Sequence, residues 1–334
     1  MKYGSRKNIF TAFIITIIFI SILFYLADFK EIITGIKNIS FFLILESLFF
    51  YILAYTFRCS RFWILFERKI SFYEVFLMTS IHNFMTGILP ARTGELSIVY
   101  LARKKGINFA KSASTLVIVR FFDIIIVMIL LLLSFMFVRQ INPILRIILN
   151  TAGVIGIILL LVMVLLVFFG EYASLRIQRL LGMISQHKYM VFISEKIHEM
   201  ILELKILKSR RVIIYLIIST LMIWVCLYLM NYIIFSAITP PPAPTIFIIG
   251  VSLAIMVTLI PISSIGNIGT YEGGWTLVFV ALGVELNSAV TVGLANHMIQ
   301  LLMMCTLGMI ALFLFYKTES IPKKLSRKRQ KTKS

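Results

Sequence analysis

The chain holds 334 residues, 60% of them hydrophobic, with a mean hydropathy of +0.98 and a formal charge of +19. An apolar fraction so far above the roughly 45–50% of soluble domains excludes a water-soluble fold. The charge does not indicate a nucleic-acid partner, because no stretch that could present a basic face to a duplex is left once the apolar runs are removed.

In chain order, six runs approach or exceed the ~20 apolar residues that let a helix cross a ~30 Å hydrocarbon core. They are Ile9–Ala27, Phe41–Phe57, Thr115–Val138, Ile147–Phe169, Val212–Ile238 and Ala289–Tyr316. The first follows a basic start, but it is longer than a secretory h-region and no small-residue cleavage site follows it, so it is expected to be retained. Basic residues gather at Lys2, Arg6 and Lys7; at Arg58, Arg61, Arg68 and Lys69; at Arg103, Lys104, Lys105 and Lys111; through Arg176–Arg211; and from Lys317 to Lys333. The positive-inside rule puts all five groups, and both termini, on the cytoplasmic side of a multi-pass protein in the cell membrane.

Phe72–Leu89 is apolar but lies between two basic clusters, so a single crossing would strand one of them outside. Two crossings do not fit, because the return leg Ala91–Ala102 offers about twelve residues at 1.5 Å each. A re-entrant hairpin over residues 72–102, turning within Gly87–Glu95, satisfies both limits. The short runs Ile246–Ile260 and Trp275–Gly283 predict a second hairpin, over residues 246–283, entering from the outer side. The expected fold class is an all-α integral membrane protein with six full transmembrane helices plus two re-entrant helical hairpins in an inverted-topology repeat. Its halves cover residues 1–140 and 141–316. Paired Pro/Gly-interrupted segments at matching places in two halves point to a transport site near the midplane.

Residues 170–211 join the halves and carry Ile193, Ile197, Met200, Ile201 and Leu204 at helical spacing, as an amphipathic connector at the cytoplasmic surface would. The tail, residues 317–334, is a polybasic stretch that attracts anionic lipid at about 1 kcal/mol per charge. Cys59, Cys226 and Cys305 lack metal-ligand or paired spacing and read as small buried hydrophobes. No cofactor or metal is expected.

Charge at the two turns carries the functional reading. Arg92 and Glu95 lie three residues apart in a stretch broken by Gly87, Pro90 and Gly94. Holding a charge at the bilayer centre costs at least ~2.5–3.5 kcal/mol on insertion scales. Arg92 either closes the turn as an ion pair or, with the amides of two half-helix N-termini, receives an anionic head group. On the second reading the head-group site is Arg92, Gly94 and Glu95 with Gly266, Asn267 and Gly269. Glu272, at the matching place in the second turn, has no basic neighbour in sequence. It is either a proton carrier or a charge partner for Arg92 across the midplane. Arg120 and Asp123, at i and i+3 on the third span, are expected to pair at the cavity wall.

Leu89-Pro90-Ala91-Arg92-Thr93-Gly94-Glu95-Leu96, then Arg120-Phe121-Phe122-Asp123, then Gly266-Asn267-Ile268-Gly269-Thr270-Tyr271-Glu272-Gly273 resemble, in order and spacing, the signatures of the lysylphosphatidylglycerol synthase/flippase transmembrane family. The likeness extends from the first span to about Tyr316. That family includes archaeal relatives linked to dolichol-phosphate glycans. The lysyl-transferring soluble domain is not in this chain, so the resemblance implies movement of an anionic, aminoacylated or polyprenyl-phosphate-linked lipid rather than lipid aminoacylation. Where the family pattern often has a basic residue, this chain has Ile98 and Tyr271, which implies a substrate with less negative charge or with fewer phosphate contacts.

Two other classes compete: an intramembrane enzyme acting on a lipid-linked substrate, and a non-transporting subunit of a lipid-modifying complex. His198-Glu199 begins a zinc-protease pattern, but Leu202 fills the second histidine's place. Ser263 or Ser264 with His297 lacks a nucleophile elbow. His297, like His82 beside Asn83, is expected to hydrogen-bond between helices. The expected partners are the lipid substrate, an anionic lipid surface for the tail, and a second copy of the chain or a separate lipid-modifying enzyme.

Overall fold

The computed structural model describes residues 39–138, 143–184, 188–259 and 265–331, with a few isolated positions before residue 39. The expected span Ile9–Ala27 lies outside them, as do Ser263 and Ser264. Every described element is helical: α1 (Phe41–Leu65), α2 (Phe72–Ile88), α3 (Leu96–Lys104), α4 (Phe109–Met136), α5 (Pro143–Ile184), α6 (Lys188–Glu203), α7 (Arg210–Ser236), α8 (Pro244–Leu259), α9 (Thr270–Ala281) and α10 (Leu286–Lys331). Short 3₁₀ turns at Pro90–Glu95, Leu204–Lys208 and Ile265–Asn267 punctuate them. The chain is an all-α, multi-pass membrane protein.

Among the described residues five stretches are long and apolar enough to cross a membrane: Phe41–Leu65, Phe109–Met136, Gly153–Arg176, Arg210–Ser236 and Leu286–Lys317. They overlap the second to sixth expected runs. Much of α5 turns apolar side chains outward, with Ile157, Leu161, Leu165 and Phe168 all more than half exposed. Such a surface suits hydrocarbon rather than water.

Polar caps set where the helices start. Ser40 Oγ accepts from Phe42 N, Ser71 Oγ from Glu74 N, and Asn108 Oδ1 from Lys111 N. Each satisfies one of the amides that the first helical turn leaves without a partner.

The two halves exchange contacts. α1 lies along α7, α2 packs on α10, and α8 packs on α4. Thus the first arm of each broken helix pair is held by the last long helix of the other half. One apolar core gathers Phe62, Leu65, Met78, Ile98 and Phe315; another gathers Trp224, Phe235, Phe247, Trp275 and Phe279. Between these cores the 3₁₀ turn Pro90–Glu95 touches the turn Ile265–Asn267. The two breaks therefore meet inside the protein.

The connector α6 is fastened by polar groups. Ser114 Oγ donates to the Met200 carbonyl at 2.8 Å, Ser174 Oγ meets His198 Nδ1 at 2.8 Å, and Lys111 Nζ reaches Glu203 at 2.9 Å and Glu67 at 2.6 Å. Leu204 is buried, while Ile193 and Ile197 face outward. Lys111, counted in sequence among surface charges, is buried at this junction.

Candidate functional site

The first break is built around Arg92. Its φ of +54° is left-handed, which costs a non-glycine residue about 1–3 kcal/mol unless the surroundings enforce it. Asn267 holds the same conformation, φ +56°, at the second break. Gly94 is required by proximity, since a Cβ there would overlap the backbone of Met85 and Thr86. The turn consequently lies directly on the end of α2, and Glu95 is carried back toward the arginines.

Arg92 Nη1 donates to Glu95 Oε1 at 3.0 Å, and Arg120 Nη2 reaches the same oxygen at 3.1 Å. Arg120 Nη1 lies 4.0 Å from Asp123 Oδ2. The i, i+3 pairing expected for Arg120 and Asp123 is thus their longest ionic contact. Asp123 belongs instead to Arg61, which approaches with both terminal nitrogens, at 2.7 and 3.4 Å, and also donates to Thr220 Oγ1 at 2.9 Å. Arg61 is 1% exposed. A guanidinium removed from water that completely needs a counter-ion, and its fork matches a carboxylate. The result is a continuous ladder, Arg92–Glu95–Arg120–Asp123–Arg61, joining the first break to α4, α1 and α7.

The second break is organised differently. Gly269, at φ +84°, gives its amide to Glu272 Oε2 at 2.6 Å, capping α9 from its own first turn. His297 Nδ1 lies 2.7 Å from Glu272 Oε1. Both carboxylate oxygens are therefore engaged, and the partner the structure supplies for Glu272 is a histidine on α10. Tyr271 stacks on His297 with ring centroids 4.6 Å apart. Beside it Asn296 Nδ2 donates to Tyr271 Oη at 2.8 Å and to Asn231 Oδ1, and Gln300 Nε2 donates to Asn296 Oδ1 at 3.1 Å. Gly266 is buried in the turn.

Two cavities adjoin here. A polar one of about 250 Å³ is lined by Tyr51, Asn83, Asn231, Asn267, Tyr271 and Gln300 among others. A more apolar one of about 330 Å³ is lined by Ile124, Val127, Met128, Ile155 and Leu159, with Asp123 also on its wall. Arg58, Arg92, Arg120 and Trp224 line both. Arg58 has no ion-pair partner among the described residues; its guanidinium lies 5.6 Å from the Tyr55 ring centroid. Four guanidiniums (Arg58, Arg61, Arg92, Arg120) face two carboxylates (Glu95, Asp123), an excess of two positive charges. The indole nitrogens of Trp224 and Trp275 and Nε of Arg120 are buried without a hydrogen-bond partner among the described residues. The site is rich in donors and short of acceptors, so it is matched to an anion.

Sequence reasoning placed Arg92, Glu95, Gly94, Gly266, Asn267 and Gly269 at the two breaks, and all lie there. It missed Arg58 and Arg61, counting them with Arg68 and Lys69 as surface charges. The physical reason is that α1 stays helical to Leu65, eight residues beyond the expected end, and carries both inside the protein. Two arginines at i and i+3 within a continuing apolar stretch were the available signal.

Broken helix pairs meeting at an arginine-walled double cavity define a multi-pass membrane protein with an internal, donor-rich site. The chain belongs to the lysylphosphatidylglycerol synthase transmembrane-region family, whose model matches residues 9–308. Comparison with curated proteins finds no match.

Proposed function

We propose that the protein moves an anionic lipid between the leaflets of the cell membrane, with the head group in the polar cavity and an alkyl or isoprenoid chain in the apolar one. The observation that carries this reading is the shared wall: Arg58, Arg92 and Arg120 stand where a polar chamber meets an apolar one, as the phosphate of an amphiphile would require. α2–α3 and α8–α9 then act as re-entrant hairpins of an inverted repeat, which accounts for the reciprocal packing of α2 on α10 and α8 on α4. Both termini are cytoplasmic, and irregular backbone at the tips is tolerated because it lines a wet cavity. The chain works as a transporter, without chemistry on the lipid.

The test is movement of a fluorescent phosphatidylglycerol across the membrane of reconstituted vesicles. Arg92→Ala is expected to abolish movement while the protein stays folded. Arg92→Lys should restore only part, because an ammonium lacks the planar fork that holds a phosphate. Normal movement in both variants would make Arg92 purely structural and remove the basis of the reading.

A further inference from the structure

The head group's chemistry can be narrowed further, on the footing that the cavity does receive a lipid. We infer that the polar cavity accepts a phosphate joined to an uncharged, hydroxyl-rich unit, and that it refuses a head group ending in an ammonium, such as the lysyl group in the family's name. Three features of the cavity lead there.

First, no acidic side chain lines the polar cavity among the described residues. The carboxylates nearby are all engaged: Glu95 by Arg92 and Arg120, Asp123 by Arg61, and Glu272 by His297 and the Gly269 amide. An ammonium entering beside Arg58, Arg92 and Arg120 would find three like charges and, for a counter-ion, only Asp123 on the wall of the adjoining cavity, already held by Arg61.

Second, the aromatic rings at the second break, Tyr271 and Trp275, do not offer an open face to a cation, and the Tyr55 ring already has the Arg58 guanidinium 5.6 Å from its centroid. Tyr271 is stacked on His297 and also on Trp275, the latter at 6.0 Å and 19°, and Trp275 lies 4.5 Å from Phe279. Their faces are engaged with one another, and a cation–π site needs a free face.

Third, the residues beside the arginines are neutral groups that both donate and accept. Gln300 spends its NH₂ on Asn296, Asn231 and Tyr271, which leaves its carbonyl oxygen without a partner among the described residues. Tyr271 Oη accepts from Asn296 and Gln300, so its own proton is free to be donated. A carbonyl that accepts and a phenol that donates are complementary to hydroxyl groups, each of which does both. A bare phosphate would use the arginines and leave these groups idle. A polyol phosphate uses both.

Native mass spectrometry of the full-length protein in nanodiscs tests this with four probes at equal abundance: phosphatidylglycerol, phosphatidic acid, lysyl-phosphatidylglycerol and phosphatidylcholine. Phosphatidylglycerol should be retained above phosphatidic acid, and at least about tenfold above the lysyl lipid, since like charges juxtaposed at a desolvated site are strongly disfavoured. Gln300→Leu should erase the preference for phosphatidylglycerol over phosphatidic acid. Retention of the lysyl lipid equal to that of phosphatidylglycerol would overturn the inference and leave anionic-lipid transport standing. So would a preference that Gln300→Leu does not alter. Equal retention of all four, phosphatidylcholine included, would instead sink the transport reading itself. The ranking in the parent protein needs no variant, so a misfolded Gln300→Leu protein cannot rescue the inference.

Discussion

The two breaks occupy matching places and hold matching backbones, with Arg92 and Asn267 both left-handed, yet they solve the problem of polarity inside a membrane protein in opposite ways. The first is ionic: five charged side chains from the turn, α4 and α1 form one ladder. The second is nearly neutral: one carboxylate, Glu272, is closed by a backbone amide and a histidine, among amides and aromatic rings. On the proposed function, a lipid head group lying between them would be gripped at its charged end by the first break and read along its neutral part by the second. The difference also predicts unequal sensitivity to mutation.

The ladder should be the more fragile side. Arg61→Ala leaves Asp123 without its bidentate partner, and breaking a buried pair in this way costs about 3–5 kcal/mol. Thermal unfolding in detergent is expected to show the largest loss of any single change considered. The double variant Arg61→Met with Asp123→Leu should recover most of it, because removing both charges leaves neither of them buried without its counter-ion, at the cost only of the Thr220 hydrogen bond. If Arg61→Ala unfolds like the parent, the ladder is not what holds the first break to α1.

Glu272→Gln tests the neutral side, and a smaller effect is expected. The amide can still accept from Gly269 and donate to a neutral His297, so stability should fall by no more than about 1.5–3 kcal/mol, the range for a hydrogen bond to a charged group. Its consequence should instead be functional. If Glu272 carries a proton in transport, the variant should lose any dependence of transport on pH in vesicles while lipid retention persists. A variant that keeps the parent's pH profile would reduce the Glu272–His297 contact to a helix cap.

How much of this was legible beforehand follows from the range of each interaction. The breaks could be read because Pro90, Gly94, Gly266 and Gly269 interrupt apolar runs locally, and Arg92 with Glu95 because they sit within one turn of chain. The partners that complete the site are remote: Arg61 and Asp123 are 62 residues apart, Glu272 and His297 are 25. No periodicity reports such pairs. Arg58 and Arg61 were misread for a related reason, since an arginine at the end of an apolar run looks the same whether it faces water or a cavity. Only the packing of α1 along α7 separates the two cases, and it turns Arg61 toward Thr220.

The weakest expected effect comes from a carboxylate just beyond the end of a bilayer-spanning helix. Beyond the end of α1, Glu67 meets Lys111 at 2.6 Å and Lys69 at 2.8 Å. Those two ammonium groups, Lys111 foremost, hold its carboxyl down from the ordinary 4.5 to about 2. A carboxylate whose folded value is depressed stabilises the fold at pH above its unfolded value, and that contribution is lost as the pH falls, between about 4.5 and about 2, as the unfolded chain takes up the proton first. Glu67 is nearly half exposed, however, and exposed pairs are worth only about 0.2–1 kcal/mol after screening. The parent should therefore exceed Glu67→Gln in melting temperature by a small margin at about pH 6, and the margin should shrink at about pH 3. It should also shrink in high salt, which the buried Arg61–Asp123 contact should resist. A margin at pH 6 as large as the loss from Arg61→Ala would contradict the contrast between buried and surface charge. In that case the junction of Glu67, Lys111 and Glu203, rather than the ladder at the first break, would be the ionic anchor of the first half.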